Sequence, residues 1–409
     1  MSHNDCALYA ELLANIRQIS LAAWLSSPCD ASTRVAVLAD CRTIELRHCN
    51  SIHLLTLPAK TALGSTLLPV QDQKGSTSLS WRLLLDTSYP HPSHQLDEMV
   101  WSATDLDPES GVACRQCATE VVNSGSVKVW KDLPSENWAE MMEFWHCHKP
   151  DHHHHHNPSE EDGKAGEESL AARGYGASSA ISAQEGVGFV DLTTLLFEER
   201  DCQNVTFSLS TFDQSAADRQ SLLLVDDTTN HAPNLNVFCS SCRTQLGFFN
   251  FRTSAVTLLK WQISCKSAWD AAPTIPECLA ATLISTISRS GSSKSVITPL
   301  NGTAQESHME ANSEKAIHIW VLNSGIAYSS SGAPQRTPAI KLLYRPLPRG
   351  EADKMLEAVT CDSLEINLPA QAVGEVIRHL DDSNVLLPPA ERVFMEWRVG
   401  LLTRWERRV

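Results

Sequence analysis

Two cysteine pairs, Cys114-Arg115-Gln116-Cys117 and Cys239-Ser240-Ser241-Cys242, constrain this chain more than any other feature. A tight turn between two cysteines aims both sulfurs at one point, and four thiolates make a closed tetrahedral site of the structural zinc type. Each pair resembles a knuckle, Cys117 being followed by a hairpin expected about Asn123-Ser124-Gly125 and Cys242 by Gln245-Leu246-Gly247. Between Cys117 and Cys239 lie 121 residues, far beyond the spacing of a local zinc finger. If one Zn2+ ion is shared, the fold has to close on it as a clamp between distant stretches. The competing readings are two unrelated turns and a redox dithiol. Redox is disfavoured because neither pair opens a helix after a strand in a βαβ unit.

The chain has 409 residues and 42% hydrophobic content, more than one ordinary core accommodates, so two lobes are expected. A formal net charge of -15 repels a phosphate backbone and argues against nucleic acid as the main partner. No basic segment followed by an apolar core opens the sequence, and no window approaches the roughly 18 apolar residues of a membrane span. A soluble, intracellular protein without a membrane partner is the expectation. Thirteen cysteines are too sparse and odd in number for a disulfide scaffold. Reduced thiols, some on a metal, fit better, and the sequons at Asn204 and Asn301 then carry no meaning.

Apolar residues Leu8, Leu12, Leu13, Ile16 and Ile19 have helical spacing, which predicts one helix within residues 6–25, ending before Ser26-Ser27-Pro28. Short branched runs at Val35–Ala39, Ile52–Leu57, Leu67–Val70 and Leu83–Leu85 read as antiparallel strands. Residues 151–186, with five successive histidines and few large apolar groups, read as a flexible linker. Strands are expected again at Leu222–Val225 and Val256–Ile263, then a helix carrying Leu279, Leu283, Ile284 and Ile287, then a Ser-rich loop over 288–313. Ile317, Ile319 and Val321 alternate with His318, Trp320 and Leu322, as in a strand buried on both faces, with Ala339–Tyr344 its neighbour. Two helices are expected to close the chain, one through Val373, Val376, Ile377 and Leu380, the other started by Pro388-Pro389 and buried through Val393, Trp397 and Leu401.

The fold class expected is therefore α+β: a β-rich, two-lobed protein with antiparallel sheets, a few amphipathic helices and a zinc-knuckle clamp. The divisions are 1–101 (N-terminal helix and β-rich lobe), 102–150 (first knuckle and a short helix), 151–186 (linker) and 187–409 (second lobe with the second knuckle and closing helices).

A second motif runs from Leu133-Pro134-Ser135-Glu136-Asn137-Trp138 to His146-Cys147-His148-Lys149-Pro150. Trp138, Met141, Met142 and Trp145 stand at i, i+3, i+4 and i+7, an amphipathic helix whose stripe is core packing. Cys147 and His148 fall at its C-terminal end, where they read as metal-site support, as a thiol with a nearby base, or as an inert buried thiol. The tract His152–His156 offers no fixed geometry to a metal. Cys41, Cys49, Cys265, Cys278 and Cys361 lack partners at ligand spacing and read as core residues.

In order, the motifs C-x-x-C, L-P-S-E-N-W, W-x-C-H-x-P, V-F-C-S-S-C-R-T-Q-L-G, I-W-V-L-N-S and A-I-K-L-L-Y-R-P resemble the HECT-like ubiquitin-conjugating-enzyme-binding family over residues of roughly 30 to 405. The resemblance implies a ubiquitin-protein ligase of cytoplasm and nucleus, whose partners are a charged conjugating enzyme, ubiquitin and a protein substrate. True HECT ligases accept ubiquitin on a cysteine close to the C-terminus, whereas the last cysteine here is Cys361 and residues 362–409 contain none. For a covalent step, Cys147 with His148 as base is the first candidate, because it lies inside the motif, and Cys361 the second. Without one, the protein would position the donor thioester or act as a non-catalytic adaptor.

Overall fold

The computed structural model describes residues 6–70, 75–90, 99–133, 183–208, 234–251, 253–266, 272–300, 315–358 and 360–406. They fall into two compact units, one of residues 1–98, 275–301 and 307–409, the other of residues 99–274 and 302–306.

The first unit contains a nine-stranded sheet and a four-stranded sheet. Residues expected as one N-terminal helix form two antiparallel strands instead, Cys6–Leu13 and Gln18–Leu25, joined by a 3-10 turn in which Arg17 is left-handed at φ 53°. The helical spacing was fortuitous. Cys6–Leu13 is an inner strand buried on both faces, Leu8, Ala10 and Leu12 packing on one side and Tyr9 on the other. Such a strand is almost continuously apolar, so no single period marks it. In the next strand Ile19, Leu21, Ala23 and Leu25 are all buried at the strand period of two. Arg17 holds the turn by donating to the carbonyl oxygens of Asp86 and Tyr89 at 2.9 and 3.2 Å.

Lys315–Ser330 and Ala333–Pro348 pair as a long antiparallel hairpin at the centre of this sheet, and the former also pairs with Cys6–Leu13. Ala316 through Ile319 are all buried, as the both-faces pattern requires, while Leu322 is exposed. The smaller sheet consists of Ser51–Thr56, Thr43–His48, Arg34–Val37 and Thr66–Leu67 in that order. Its Val35, Val37, Ile44, Leu46 and Leu55 share a core with Leu8, Leu21 and Trp81 of the larger sheet.

Three α-helices are present among the described residues: α1 (Ile275–Ser290), α2 (Arg349–Glu357) and α3 (Ala370–Asn384). α1 and α3 bury the faces their periodicity predicts. The closing helix expected after Pro388-Pro389 is a 3-10 turn followed by a hairpin of Val393–Phe394 and Trp397–Thr403. Positions 393, 397 and 401 are four apart, a spacing that suits one face of a strand as well as a helix. Trp397 and Leu401 are indeed buried, and Val393 is exposed. Asn384 locks α3 onto this strand, its amide donating to the carbonyl oxygens of Arg392 and Val399 at 2.8 and 2.7 Å. Within the stretch expected as a 288–313 loop, Lys294–Pro299 is a strand, paired to Lys315–Ser330 and, in parallel, to Leu364–Leu368.

The second unit has a seven-stranded sheet, with Ala255–Leu259 beside Gln245–Asn250 and Thr194–Glu198, and a three-stranded one of Ile263–Cys265, Val112–Cys114 and Glu120–Val122. Gly247 faces Leu258 across the first pair, and a Cβ there would meet the Thr257 carbonyl oxygen at 1.9 Å, so only glycine allows the strands to close. Leu222–Val225, the Leu133–Trp145 motif beyond residue 133, and all but the last four residues of the 151–186 linker lie outside the described residues. Among the described residues no helix is long and apolar enough to cross a membrane. The architecture is the expected β-rich α+β one, with predominantly antiparallel sheets, few helices and a cysteine cluster.

Candidate metal centre

Both C-x-x-C pairs sit at the tips of two-stranded hairpins. Val112–Cys114 pairs with Glu120–Val122 around the first, and Asn234–Cys239 with Gln245–Asn250 around the second. The hairpin expected about Asn123-Ser124-Gly125 is instead a turn that leads away, Gly125 at φ 79°.

The two tips are built alike. In the first, the Cys114 N–H donates to the Thr119 carbonyl at 2.9 Å and the Ala118 N–H to the Cys114 carbonyl at 2.8 Å. In the second, the Cys239 N–H donates to the Thr244 carbonyl at 2.9 Å and the Arg243 N–H to the Cys239 carbonyl at 2.9 Å. Ala118 and Arg243, each following its second cysteine, are both left-handed, at φ 57° and 63°. Each tip also carries a threonine two places beyond the second cysteine, with Thr119 Oγ1 3.2 Å from Cys117 Sγ and Thr244 Oγ1 3.3 Å from Cys242 Sγ. These threonines were not singled out from the sequence. The repeated pattern C-x-x-C-x-T was the signal that could have found them.

The residues that bridge the 121-residue gap are Cys202, Gln203 and Asn204. Cys202 makes a β-bridge to Val122, the Gln203 N–H donates to the Val121 carbonyl at 2.8 Å, and the Asn204 amide donates to the Glu120 carbonyl at 3.0 Å. The Asn204 carbonyl then accepts from the Ser240 N–H at 2.9 Å, between the cysteines of the second tip. From the other side, Arg115 anchors the first tip, its guanidinium donating to the carbonyls of Trp261 and Pro273 at 3.2 and 2.9 Å.

The outcome is that Cys114, Cys117, Cys239 and Cys242 converge, their four sulfurs all within 4.8 Å of one another. Cys114 Sγ lies 3.6 Å from Cys242 Sγ, and Cys117 Sγ 3.6 Å from Cys239 Sγ. A tetrahedron with zinc–sulfur bonds of about 2.3 Å has edges of about 3.8 Å. The donor set and its separations therefore suit one tetrahedral ion of the zinc type, held by two sulfurs from each tip. Cys114 and Cys239 are fully buried, Cys242 is half-buried and Cys117 exposed. Burial pushes the Cys114 thiol up to about 12, while the Thr119 hydroxyl and amide draw Cys117 down to about 6. The thiols of half-buried Cys265 and Cys202 are raised as well, both by desolvation first.

Residues 11–399 match the family described as HECT-like ubiquitin-conjugating enzyme (E2)-binding. The chain belongs to that family. Two yeast relatives share sequence with this HECT-like chain. An uncharacterized protein of Schizosaccharomyces pombe is 22% identical over 326 residues, which are 76% of this chain and 79% of the relative. An uncharacterized protein of Saccharomyces cerevisiae is 38% identical over 53 residues, 12% of this chain and 15% of the relative. No solved structure matches.

Cys147 and His148, the catalytic candidates of the HECT-like motif, lie outside the described residues. Of the cysteines assigned to the core, Cys278 is buried, Cys41, Cys265 and Cys361 are half-buried, and Cys49 is exposed at a hairpin tip. For Cys49 the core assignment is wrong.

Proposed function

We propose that this HECT-like chain binds a ubiquitin-conjugating enzyme and promotes transfer of ubiquitin to lysines of a protein substrate, in cytoplasm and nucleus. The observation that carries this reading is the family match along residues 11–399. In this reading Zn2+ is structural. Cys114, Cys117, Cys239 and Cys242 hold it, and its chemistry is to neutralise and clamp thiolates whose convergence joins two hairpins. A site closed by four protein sulfurs leaves no position for a substrate, which is why the ion is kept out of the transfer step.

A second reading, a non-catalytic adaptor that binds a conjugating enzyme without enhancing transfer, is favoured by the absence of any cysteine in residues 362–409. A discharge assay separates the two. Purified full chain is added to a ubiquitin-loaded conjugating enzyme with free lysine, and loss of the thioester is followed on non-reducing gels beside a binding isotherm. Transfer predicts accelerated discharge. Binding with an unchanged discharge rate identifies an adaptor, and no binding removes both readings. Running Cys147→Ala in parallel reads whether the Cys147–His148 pair carries the covalent intermediate.

A further inference from the structure

The strands Thr43–His48 and Ser51–Thr56 are joined by just two residues, Cys49 and Asn50, both left-handed at φ 48° and 65°. Turns of this kind favour Asn or Gly in the first position, and a cysteine there projects at an exposed tip. Beside it the His48 ring is buried, with polar contacts at both ring nitrogens. His48 Nδ1 lies 2.9 Å from Thr33 Oγ1, and His48 Nε2 lies 2.9 Å from Ser27 Oγ and 3.4 Å from Cys49 Sγ. Ser27 Oγ and Cys49 Sγ are 3.4 Å apart.

The Thr33 hydroxyl stands between two acceptors, Asp30 Oδ1 at 3.1 Å and His48 Nδ1 at 2.9 Å, and its oxygen also accepts from the Asp30 N–H at 3.1 Å. Asp30 Oδ1 also collects the Ser32 amide and hydroxyl at 2.9 and 2.7 Å and the Thr33 amide at 3.2 Å. In the tautomer that serves as a base, Thr33 gives its proton to Asp30 and accepts from His48 Nδ1–H, which leaves the Nε2 lone pair to Ser27 and Cys49. The lone pair faces a thiol and a hydroxyl, with the thiol the more exposed. A nucleophile, a base in contact with it and a third group that orients the base form the general pattern of an activated nucleophile. Between the two hydroxyl or thiol groups the sulfur is intrinsically the stronger nucleophile.

We propose that Cys49 is a catalytic thiol, with His48 as its base and Thr33 and Asp30 as positioning residues, that accepts an acyl group from a protein thioester. The proposal rests on the transfer reading above and supplies the thiol that residues 362–409 lack. The Cys49 proton passes to His48 Nε2, directly or through the Ser27 hydroxyl, as the sulfur bonds to the carbonyl carbon of the donor thioester. The donor's sulfur departs with the bonding pair and takes the proton from His48. A new thioester on Cys49 and a free donor thiol result, with no oxidation or reduction. A substrate lysine amine then attacks the same carbonyl carbon, the carbon–sulfur bond breaks, and the amine's proton returns the Cys49 thiol.

The test uses the full chain and a donor that needs no conjugating enzyme, ubiquitin carrying a mercaptoethanesulfonate thioester at its C-terminus. The expected product is a single-ubiquitin adduct that dithiothreitol removes and peptide mass spectrometry maps to Cys49. Cys49→Ala abolishes it, and Cys49→Ser replaces it by a dithiothreitol-resistant ester. His48→Gln slows its formation at least tenfold, in keeping with general-base contributions of about a hundredfold, and Thr33→Val slows it severalfold. Iodoacetamide alkylation of Cys49 follows the same order, which guards against variants that merely fail to fold, since an unfolded chain exposes its thiols equally. Cys49 alkylating at the rate of a free peptide thiol in both wild type and His48→Gln overturns the proposal. So does an adduct mapped to Cys147, or one that survives in Cys49→Ala and disappears in Ser27→Ala. Because the donor is loaded without an enzyme, failure to bind a conjugating enzyme removes the transfer reading while leaving this result standing on its own.

Discussion

Replacing Cys114 by alanine probes the clamp at one of its two fully buried ligands. The sulfur that is lost lies 3.6 Å from Cys242 and shares a 4.8 Å cluster with Cys117 and Cys239. The widest separation allowed in that cluster exceeds the about 3.8 Å edge of a zinc–sulfur tetrahedron by about 1 Å, so all four sulfurs are placed to reach one ion. Structural zinc contributes roughly 10–16 kcal/mol in finger peptides at neutral pH, and one ligand of four accounts for about 3–4 kcal/mol on an equal division. That is a large share of a typical domain stability of about 5–15 kcal/mol. For a unit of this size it corresponds to a melting shift of roughly 10 °C. The assay is zinc stoichiometry by elemental analysis of the purified full chain, followed by thermal melts with and without a chelator. Wild type is expected to hold one zinc and to fall in stability on chelation, whereas Cys114→Ala melts lower and gives up its zinc at about 100- to 1,000-fold weaker chelation. Wild type purified without zinc and indifferent to added zinc would refute the reasoning.

Four other outcomes follow from the same structure. Gly247→Ala forces Thr257 away and is expected to cost about 3 kcal/mol or more in urea melts; a wild-type midpoint would show that the strand gap is not closed. Lys341→Ala strands buried Glu11, which lies 2.8 Å from Lys341 Nζ and also accepts from the Tyr9 hydroxyl, at a cost of about 3–5 kcal/mol, most of it recovered when Glu11→Leu is added. Burial, then the Arg345 and Lys294 charges, hold His318 down to about 4. The unfolded chain therefore binds the extra proton first, and stability falls as pH drops from about 6.5 to about 4, by about 1–2 kcal/mol after solvent screening; His318→Leu should flatten that slope in pH-resolved melts. Deleting His152–His156 should leave zinc stoichiometry unchanged, because a contiguous tract supplies no fixed donor geometry, and a lost equivalent would contradict this.

The metal centre was legible because a C-x-x-C turn is local chemistry: its sulfur pair forms wherever the chain goes, and only the meeting of the pairs depends on the fold. The bridge through Cys202, Gln203 and Asn204 was not legible, since it uses mostly backbone groups that every residue carries. Strands buried on one face or bounded by turn residues, such as Arg34–Val37 and Ser51–Thr56, could be placed from their pattern. Residues 6–25 and 393–401 could not, because an apolar spacing of four satisfies a helix and one face of a strand alike. Cys49 was judged by metal-ligand spacing, under which it has no partner. A base needs only to touch the thiol, and the adjacent His48, held by Ser27 and Thr33 from another segment, is invisible to spacing rules.

The pairing of Cys6–Leu13 with Lys315–Ser330 has a consequence for how the protein is made. An inner strand whose neighbour lies about 300 residues downstream waits, at ribosomal speeds of about 5–20 residues per second, for something like 15–60 s before that partner emerges. During that time Gln18–Leu25 can cover one edge and nothing native covers the other. Nascent chains of this topology spend their synthesis with an apolar strand edge open to stray pairing, so chaperone supply and translation rate, as much as equilibrium stability, set the yield of folded protein.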